Sequence, residues 1–377
     1  MPRFDPTRAL RPALRDMVPY TPVEPPAEMA ARYGVAPESV VKLDANENPY
    51  GASPRALDAI RNVEAHRYPD PDQRRVRAAL AARHNVPEAC IVAGAGSDEL
   101  IDLLFRTYVE PGDRIVICSP TFGMYAFDAG LLGAEVVDVP LREDWSIDGD
   151  ALVAATVGAK AVFIPTPNNP TGGLLSHELA TRLIETGALL VVDEAYIEFS
   201  HGESLAARAA SGDPFVVLRT FSKWAGLAGL RVGYGVMPEP VATTLMQVKQ
   251  PYGVSVAAEA AVLASLEDTA ALDERALTIV AERDRMADAL RAMEWLEPAP
   301  SEANFILVRM DRGDASDVRE ALRRRGVFVR TFDHPRLRQH LRISAGTPAD
   351  TDRVIAALRE VGEELMTDSM TGNEAAR

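Results

Sequence analysis

Residues 188–196 read Ala-Leu-Leu-Val-Val-Asp-Glu-Ala-Tyr, and this stretch decides the fold class. Its first five residues have no polar face, which is typical of a β-strand that is buried on both sides. Such strands belong to mostly parallel sheets whose two faces are covered by helices. Asp193 follows the last apolar residue directly, and a buried acid needs a cationic or hydrogen-bonding partner. The stretch predicts an α/β fold, and Asp193 is either a structural cap or a ligand-binding acid.

Further apolar runs on both sides of this stretch alternate with helical segments, as a mostly parallel sheet requires. Ser53 and Ser176 are predicted to cap helices, because a serine hydroxyl accepts from a free N–H of the first turn. Ser97 is predicted to cap the helix that runs to Val109. Strands are predicted over residues 90–93, 114–118, 135–139, 161–164, 215–218 and 231–236.

The pattern divides the chain into four parts. Residues 1–40 are rich in proline and predict an extended N-terminal arm with at most a short helix. Residues 41–270 form the predicted large domain, and residues 271–366 predict a smaller α+β domain that begins with a long helix. Residues 367–377 are polar and predict a disordered tail.

Composition excludes several classes of function. The chain has 377 residues and a formal net charge of −15, which disfavours nucleic acid and anionic membranes as partners. Neither a membrane-spanning run nor a signal-peptide core is apparent, so we expect a cytoplasmic protein. Cys90 and Cys118 lie in apolar runs and are predicted to be buried thiols. The six histidines are scattered, and no metal site is predicted.

Polar side chains gather where the predicted strands end, and ligands of open parallel sheets bind beyond those carboxyl ends. The run Gly94–Glu99, Gly-Ala-Gly-Ser-Asp-Glu, follows a strand and opens a helix, a place that favours an anion. It lacks the third glycine of a dinucleotide fingerprint, so taken alone it also fits a structural turn. Lys223 follows another strand, where a single lysine is usually a solvated side chain.

Taken together, these residues meet the needs of pyridoxal 5′-phosphate, the electron sink that makes the Cα–H bond of an amino acid acidic. That cofactor requires an amine for its aldehyde, a cradle for its phosphate, an acid for its ring nitrogen and partners for its ring hydroxyl. Lys223 offers the amine, and Asp193 offers the acid for the ring nitrogen. Ser97, Ser222 and Arg231 offer the phosphate cradle, and Asn169 and Tyr196 offer the partners for the ring hydroxyl.

Several motifs extend the pattern from about Leu14 to Thr347. They are Leu43–Tyr50 (Leu-Asp-Ala-Asn-Glu-Asn-Pro-Tyr), Tyr68–Asp70, Asn169–Gly172, Asp193–Tyr196, Thr220–Lys223, Leu227–Tyr234 and Leu341–Thr347. With them the chain resembles the fold-type I, pyridoxal-phosphate-dependent aminotransferases, and among these most the histidinol-phosphate aminotransferases. The resemblance implies a mostly parallel central sheet in a large domain, a smaller C-terminal α+β domain, and a homodimer with shared active sites.

The resemblance also implies a role for each site residue. Lys223 would condense with the cofactor aldehyde and move the substrate proton, and Asp193 would keep the ring nitrogen protonated. Asn169 and Tyr196 would bind the phenolic oxygen. The remaining cofactor contacts implied are Ala95, Gly96, Ser97, Thr220, Ser222 and Arg231 at the phosphate, Phe122 stacked on the ring, and Tyr50 reaching the phosphate of the other subunit.

On the substrate side, the resemblance implies that Arg342 binds an α-carboxylate. Arg330 would take a second anion at the far end of the substrate if its strand is a neighbour of the strand of Arg342. Tyr20, Tyr125 and Tyr252 complete the implied substrate residues. For Phe122, Tyr20 and Arg330, a purely structural or surface role is the alternative.

The leading expectation is transfer of an amino group between L-glutamate and imidazole-acetol phosphate. The alternatives are an aromatic amino-acid aminotransferase and a pyridoxal-phosphate-dependent phosphoamino-acid decarboxylase. Thr166, Trp224 and Gly253 depart from the pattern near the substrate pocket and leave the substrate open. An effector-sensing module of a transcription regulator is disfavoured, because only about 40 residues precede the motifs and the net charge is −15.

Overall fold

The computed structural model describes residues 5–15, 17 and 24–374, and Tyr20 lies outside the described residues. The strands are β1 Val41–Leu43, β2 Ile91–Gly94, β3 Arg114–Ile117, β4 Glu135–Asp138, β5 Ala161–Pro165, β6 Leu189–Asp193, β7 Phe215–Thr220, β8 Gly233–Val236, β9 Leu296–Pro298, β10 Phe305–Met310, β11 Val327–Val329 and β12 His340–Ser344.

The α-helices connect and cover these strands. They are α1 Pro6–Ala9, α2 Pro26–Tyr33, α3 Pro54–Arg61, α4 Arg74–His84, α5 Ser97–Tyr108, α6 Met124–Leu132, α7 Gly149–Thr156, α8 His177–Ile184, α9 Ala206–Ala209, α10 Glu239–Val248, α11 Val256–Glu267, α12 Thr269–Arg291, α13 Ala315–Arg324 and α14 Pro348–Glu374. Short 3₁₀ turns lie at Pro12–Leu14, Pro37–Ser39, Glu88–Cys90, Ile197–Phe199, Ala228–Leu230 and Pro335–Leu337. No helix in this described part is both long and apolar enough to cross a membrane.

The large domain is built on a seven-stranded sheet of the described chain, in the order β2-β8-β7-β6-β5-β3-β4. The neighbouring strands β4, β3, β5, β6 and β7 pair in parallel. In this sheet only β8 runs antiparallel to its neighbours, which are β2 and β7. Leu190 and Val192 of β6 pack into one apolar cluster, whereas Val191 packs into the cluster on the opposite face. The mostly parallel sheet predicted from the apolar strand is therefore confirmed.

The small domain contains the antiparallel sheet β12-β10-β9 and the parallel pair β1-β11. Val41 and Leu43 of β1 pack into its core, so β1 belongs to this domain although the sequence placed it at the start of the large one. The predicted boundary near residue 270 falls inside α12. Leu272 of that helix packs on the large-domain core, and Leu290 packs on the small-domain core.

Helix starts follow local hydrogen bonding. Ser53 and Ser176 cap α3 and α8 by accepting from backbone N–H groups at 3.2 and 3.1 Å. The predicted cap at Ser97 is wrong: Gly96, with a φ of +86°, occupies the cap position, and Ser97 is the first helical residue.

The ends of the chain differ from the sequence-based expectation. Two α-helices, α1 and α2, lie in the described part of the arm, and Met29 of α2 is buried. At the other end, α14 continues to Glu374, so residues 367–374 are helical rather than disordered. Within this last part of the helix, the Thr367 hydroxyl donates to the carbonyl of Glu363 at 2.9 Å.

Candidate active site

Two adjoining cavities lie beyond the carboxyl ends of β5, β6 and β7. The inner cavity has a volume of about 220 Å³ and is lined by Ser97, Phe122, Tyr125, Asn169, Asp193, Tyr196, Thr220, Ser222, Lys223 and Arg231, among others. The outer cavity, of about 810 Å³, shares Phe122, Asn169, Tyr196, Lys223 and Arg231 with it and adds Arg330, Phe332 and Arg342. The fold thus brings most of the predicted site residues to one place.

Buried charge pairs hold the strand ends that carry this site. Glu194 follows β6 and its carboxylate lies 3.0 Å from a guanidinium nitrogen of Arg219 in β7. Arg219 also pairs with Glu198 at 2.6 Å, and Ser204 donates to Glu194. Because Asp193 and Thr220 are the immediate neighbours of Glu194 and Arg219, these contacts fix the positions of two site residues.

Asp193 is a buried acid with two hydrogen bonds. Its Oδ2 accepts from the Tyr125 hydroxyl at 2.9 Å and its Oδ1 accepts from the Ala195 N–H at 3.1 Å. Burial raises the pKa of Asp193 to about 6, although the bond from Tyr125 acts in the opposite direction. A cationic partner in the cavity would relieve this desolvation.

Tyr125 does not lie where the sequence-based expectation put it. It is fully buried and bonds Asp193, whereas Arg330 and Arg342 line the outer cavity without it. Phe122, just before α6, and Tyr125, in its first turn, meet edge-on with ring centroids 5.5 Å apart. Phe122 precedes the helix and lines both cavities, whereas the Tyr125 hydroxyl in the first turn of α6 holds the acid.

Lys223 lies just beyond β7 and is poised as a nucleophile. Its Nζ donates to the Ala45 carbonyl at 3.0 Å and lies 5.7 Å from the centre of the Tyr196 ring. Burial first, and then the nearby charge of Arg342, lower its pKa to about 8. A larger fraction of neutral amine is therefore present near neutral pH than for an exposed lysine.

Tyr196 and Asn169 line both cavities together with Lys223. The Tyr196 hydroxyl accepts from Asn46 Nδ2 at 3.0 Å, and its ring packs edge-on against Phe305. Asn169 Oδ1 accepts from Arg342 Nη1 at 2.7 Å. Asn46 was not predicted as a site residue, although its position within the Leu43–Tyr50 motif was a usable signal.

Several of the side chains predicted to bind a phosphate cluster at the start of α5. Arg231 donates to the Ser222 hydroxyl at 3.4 Å, and Ser222 accepts from the Thr220 hydroxyl at 3.0 Å. Arg231 also pairs with Asp98 at 2.9 Å, a carboxylate that the sequence did not single out. Asp98 therefore competes with an anion for the Arg231 guanidinium.

Close backbone approach explains the glycines of this cradle. A Cβ on Gly96 would lie 2.8 Å from Arg231 Nη2, and one on Gly233 would lie 2.5 Å from the Ser97 nitrogen. The Ala95 amide, predicted as a phosphate ligand, donates instead to Glu99 Oε2 at 2.5 Å, because Glu99 reaches back over the first turn of α5. The Gly96 amide donates to the Gly94 carbonyl at 2.8 Å.

Two arginines face each other across a β-bridge on the substrate side. The backbone amides of Arg330 and Arg342 each donate to the other residue's carbonyl, at 3.0 and 2.8 Å. The buried Arg342 guanidinium also donates to the Asp44 carbonyl at 2.6 Å and lies between the rings of Phe305 and Phe332. Both arginines line the outer cavity, where they offer two cationic groups.

Tyr50 and Tyr252 do not join the other site residues within one chain. Neither lines the inner or the outer cavity. Tyr252 has 43% of its surface exposed and stacks on Tyr68, with ring centroids 4.7 Å apart. Tyr50 is half-buried against the large-domain core.

The residues of the inner cavity fit pyridoxal phosphate group by group. Asp193 has a desolvated carboxylate that a protonated ring nitrogen would neutralise, and Lys223 offers an amine of lowered pKa to the aldehyde. Arg231 and Ser222 offer donors to a phosphate at the start of α5, where the helix dipole favours negative charge.

Comparison with known proteins defines the class. The family described as "Aminotransferase class I and II" matches residues 38–358, and the chain belongs to this family. Histidinol-phosphate aminotransferase of Roseiflexus castenholzii is 48% identical over 369 residues, which is 94% of this chain and 98% of its own. Histidinol-phosphate aminotransferase 1, chloroplastic, of Arabidopsis thaliana is 43% identical over 355 residues, with 93% and 85% covered.

A solved structure agrees with the fold. The histidinol-phosphate aminotransferase of Sinorhizobium meliloti, crystallised in complex with pyridoxal-5′-phosphate, superposes with a TM-score of 0.86. It is 30% identical, and the match covers 95% of this chain and 98% of that one. The predicted fold-type I architecture is thereby confirmed.

Proposed function

We propose that the protein is a pyridoxal-phosphate-dependent histidinol-phosphate aminotransferase. It would transfer an amino group reversibly between L-glutamate and imidazole-acetol phosphate, giving histidinol phosphate and 2-oxoglutarate. The observation that carries this proposal is the convergence of Lys223 and Asp193 in one cavity beside the arginine pair Arg330 and Arg342. The relatives named histidinol-phosphate aminotransferase, at 43–48% identity, support the same substrate.

The chain's own groups divide the work around the cofactor, which when bound would supply an electron sink. Asp193 would hold the proton of the ring nitrogen, with Tyr125 fixing the orientation of the carboxylate. Lys223, whose pKa lies near 8, would accept the substrate's Cα proton and return it. Arg342 would fix the substrate by its anion, so that the Cα–H bond points at the lysine.

The two substrates place their anions differently. L-Glutamate carries a carboxylate on the carbon that bears the amine, whereas histidinol phosphate carries a methylene phosphate there and has no carboxylate. The sequence-based expectation, in which one substrate carries both an α-carboxylate and a phosphate at its far end, therefore does not hold. Instead, the two substrates would place their different anions in the same region of the site, one substrate at a time. Arg342 suits the carboxylate, and Arg330, opposite it in the bridge, suits the more distant phosphate.

An aromatic amino-acid aminotransferase is the second candidate. The ring of Phe332, which lines the outer cavity 5.6 Å from the Arg342 guanidinium, offers a contact to a phenyl group as well as to an imidazole. Loss of the cofactor's absorbance in single half-reactions separates the candidates. The donors to compare are L-glutamate, histidinol phosphate, phenylalanine and threonine phosphate, with the Lys223→Ala variant as the inactive baseline.

We expect L-glutamate and histidinol phosphate to react, and phenylalanine to react at least about tenfold more slowly. Faster reaction with phenylalanine would favour the aromatic aminotransferase. Release of CO₂ from threonine phosphate would favour the decarboxylase.

We also propose a cytoplasmic homodimer whose two active sites are shared. The proposal is supported by the family resemblance and by Tyr50, which lies outside both cavities of its own chain. The stack of Tyr68 and Tyr252 supports it further, since it leaves two aromatic side chains at the surface of the single chain. The two free cysteines are both buried, as expected of structural thiols in a reducing compartment.

A further inference from the structure

Tyr196 follows β6 of the large domain, yet two side chains held by the small domain contact it. Phe305 of β10 packs edge-on against its ring, with ring centroids 5.1 Å apart. Asn46, three residues after β1, donates from Nδ2 to the Tyr196 hydroxyl oxygen at 3.0 Å. Asn46 is buried and lines the outer cavity. None of the proposed catalytic steps uses Asn46.

Hydrogen bonds fix Asn46 to the small domain. Its backbone N–H donates to the Ser344 hydroxyl at 3.0 Å, and that hydroxyl donates back to Asn46 Oδ1 at 2.9 Å. Asn304, just before β10, donates from Nδ2 to the Asn46 carbonyl at 3.2 Å. Asn46 has a φ of +52°, a left-handed conformation that asparagine adopts more readily than most residues. Both its backbone and its side chain are therefore held in one arrangement.

The Ser344 hydroxyl determines which way the Asn46 amide faces. A serine hydroxyl has a single proton, and the Ser344 oxygen already accepts from the Asn46 backbone N–H. Within the described residues, that proton has no other acceptor than Asn46 Oδ1. With the amide reversed, a buried hydroxyl proton would lose its partner, which is costly. The Nδ2 group of Asn46 must therefore face Tyr196.

A donor at the Tyr196 oxygen has a direct chemical consequence. Because the phenol oxygen accepts from Asn46, this contact does not use the phenol's own proton and leaves it to another acceptor. A donated hydrogen bond also polarises the phenol and strengthens the bond that its proton makes. An acceptor in place of Nδ2 would instead draw the phenol proton towards itself and away from the cavity.

We propose that Asn46 is a positioning residue that acts through Tyr196 and directs the tyrosine's proton towards the phenolic oxygen of bound pyridoxal phosphate. Because Ser344 and Asn304 hold Asn46, the small domain controls a hydrogen bond that the large domain makes to the cofactor. The inference rests on the cofactor of the proposed function and not on the identity of the amino donor.

The test asks whether the effect of Asn46 depends on the tyrosine hydroxyl. Asn46→Gly removes the donor and keeps the left-handed backbone without strain. Tyr196→Phe removes the hydroxyl, and the double variant completes a mutant cycle. Asn85→Gly is the matched control, because Asn85 also has a left-handed backbone, with a φ of +53°, and is exposed at the end of α4.

Three quantities are measured for each variant. They are the dissociation constant for pyridoxal phosphate, the absorbance spectrum of the bound cofactor at pH 8, and kcat of the holoenzyme with L-glutamate. The first two need no substrate, so they decide the proposal even if the enzyme prefers another amino donor. A wild-type enzyme that does not react with histidinol phosphate would defeat the proposed function alone.

For Asn46→Gly we expect the dissociation constant to rise and kcat to fall, each about three- to tenfold, as for loss of one hydrogen bond. The cofactor spectrum should change in the same direction as in Tyr196→Phe. In the Tyr196→Phe background, Asn46→Gly should change either constant by less than about twofold. Ser344→Ala, which no longer fixes the amide, should give part of the effect, and Asn85→Gly should stay near the wild type.

Equal effects of Asn46→Gly with and without the Tyr196 hydroxyl would overturn the proposal, since Asn46 would then only support the fold. A wild-type cofactor spectrum in Asn46→Gly would overturn it as well. Should Asn46→Gly fail to fold, Asn46→Asp in both backgrounds replaces it. That side chain has the same size, and its carboxylate accepts but does not donate. Its spectrum should then resemble that of Tyr196→Phe, and a wild-type spectrum would contradict the proposal.

Discussion

Asp193 is a buried acid whose negative charge lowers the stability of the cofactor-free protein. Its folded-state pKa of about 6 lies above the usual value of 3.8, so the ionised form is disfavoured in the folded protein. The stability that the protonated group contributes is fully present below about pH 4 and is lost as the pH rises through about 6. At neutral pH the cofactor-free protein therefore carries an unfavourable buried charge, which a cationic cofactor ring would offset.

Replacing this acid by an amide should separate stability from activity. In Asp193→Asn the side chain can still accept from Ala195 and donate to the Tyr125 oxygen, but it carries no charge. We expect the cofactor-free variant to be more stable than the wild type at pH 8, by about 1–3 kcal/mol, and kcat of the holoenzyme to fall at least about 100-fold. Denaturant unfolding between pH 5 and 8 measures the first effect, and the stability difference should shrink towards pH 5.

Asp213→Asn, at an exposed site, controls for the change in net charge. A kcat within about threefold of wild type, or roughly 0.6 kcal/mol, would make Asp193 a structural residue only.

The Tyr125 hydroxyl should act through Asp193. Removing it in Tyr125→Phe deletes a hydrogen bond that lowers the pKa of Asp193, so that pKa should rise further. We expect kcat to fall about tenfold, in line with a hydrogen bond to a charged group, and the acidic limb of the pH–kcat profile to move upward. Tyr108→Phe, at the end of the different helix α5, is the control. An unchanged pH profile with reduced kcat would contradict action through the acid.

Arg330 should discriminate between substrates by charge. Loss of its charge-assisted contact in Arg330→Ala should lower kcat/KM for histidinol phosphate by about 10- to 150-fold. Phenylalanine, which has no phosphate, should lose less. Steady-state kinetics with both donors checks this prediction. Equal losses of kcat/KM for the two donors would favour the aromatic aminotransferase over the histidinol-phosphate aminotransferase.

Strand β8 and the start of α5 come into close backbone contact at Gly233, beside the proposed phosphate site. At the start of β8, a Cβ on Gly233 would lie 2.5 Å from the Ser97 nitrogen and 2.9 Å from the Arg219 carbonyl. Both neighbours are backbone atoms and cannot rotate away. The approach of β8 to the start of α5 thus depends on a missing side chain.

Gly233→Ala should therefore displace the start of α5 and weaken cofactor binding by about tenfold or more, since a shift well below 1 Å disrupts positioned donors. Gly229→Ala is the matched control, because its added Cβ would meet nothing within 4 Å. Equilibrium titration with pyridoxal phosphate measures the affinity, and melting temperatures report the fold. Equal affinities in the two variants would show that the contact is not needed for the cradle.

The sequence predicted those elements whose signals are local. Apolar runs such as Phe215–Leu218 predicted strands to within two residues, because burial on both faces leaves no polar positions. β1 was not predicted, since it is three residues long and is fixed only by pairing with the distant β11. The same applies within the site: Lys223 and Asp193 stand at strand ends, whereas the roles of Tyr125 and Asp98 depend on contacts between separate elements.

At the scale of the whole molecule, the proposed dimer makes a prediction about Tyr50. If Tyr50 acts on the other subunit's site, mixing inactive Lys223→Ala and Tyr50→Ala subunits should produce hybrid dimers with one intact site. Activity should then recover to at most about one quarter of wild type for random pairing, because half of the dimers are hybrids with one working site each. Native mass spectrometry confirms that hybrids form, and no recovery in their presence would contradict a shared site.

Helix α12 has a mechanical consequence for the two domains that it joins. It is 23 residues long, about 35 Å at 1.5 Å per residue. Near its middle, Arg283 donates to the carbonyls of Phe199 and Ala303, which ties the helix to the 3₁₀ turn Ile197–Phe199 and to the segment before β10. Because one end of the helix packs on the large-domain core and the other end on the small-domain core, the small domain has few ways to move relative to the large domain. We therefore expect any closure around a substrate to proceed by slight twisting about the helix axis or by bending of the helix, rather than by a wide swing of the small domain.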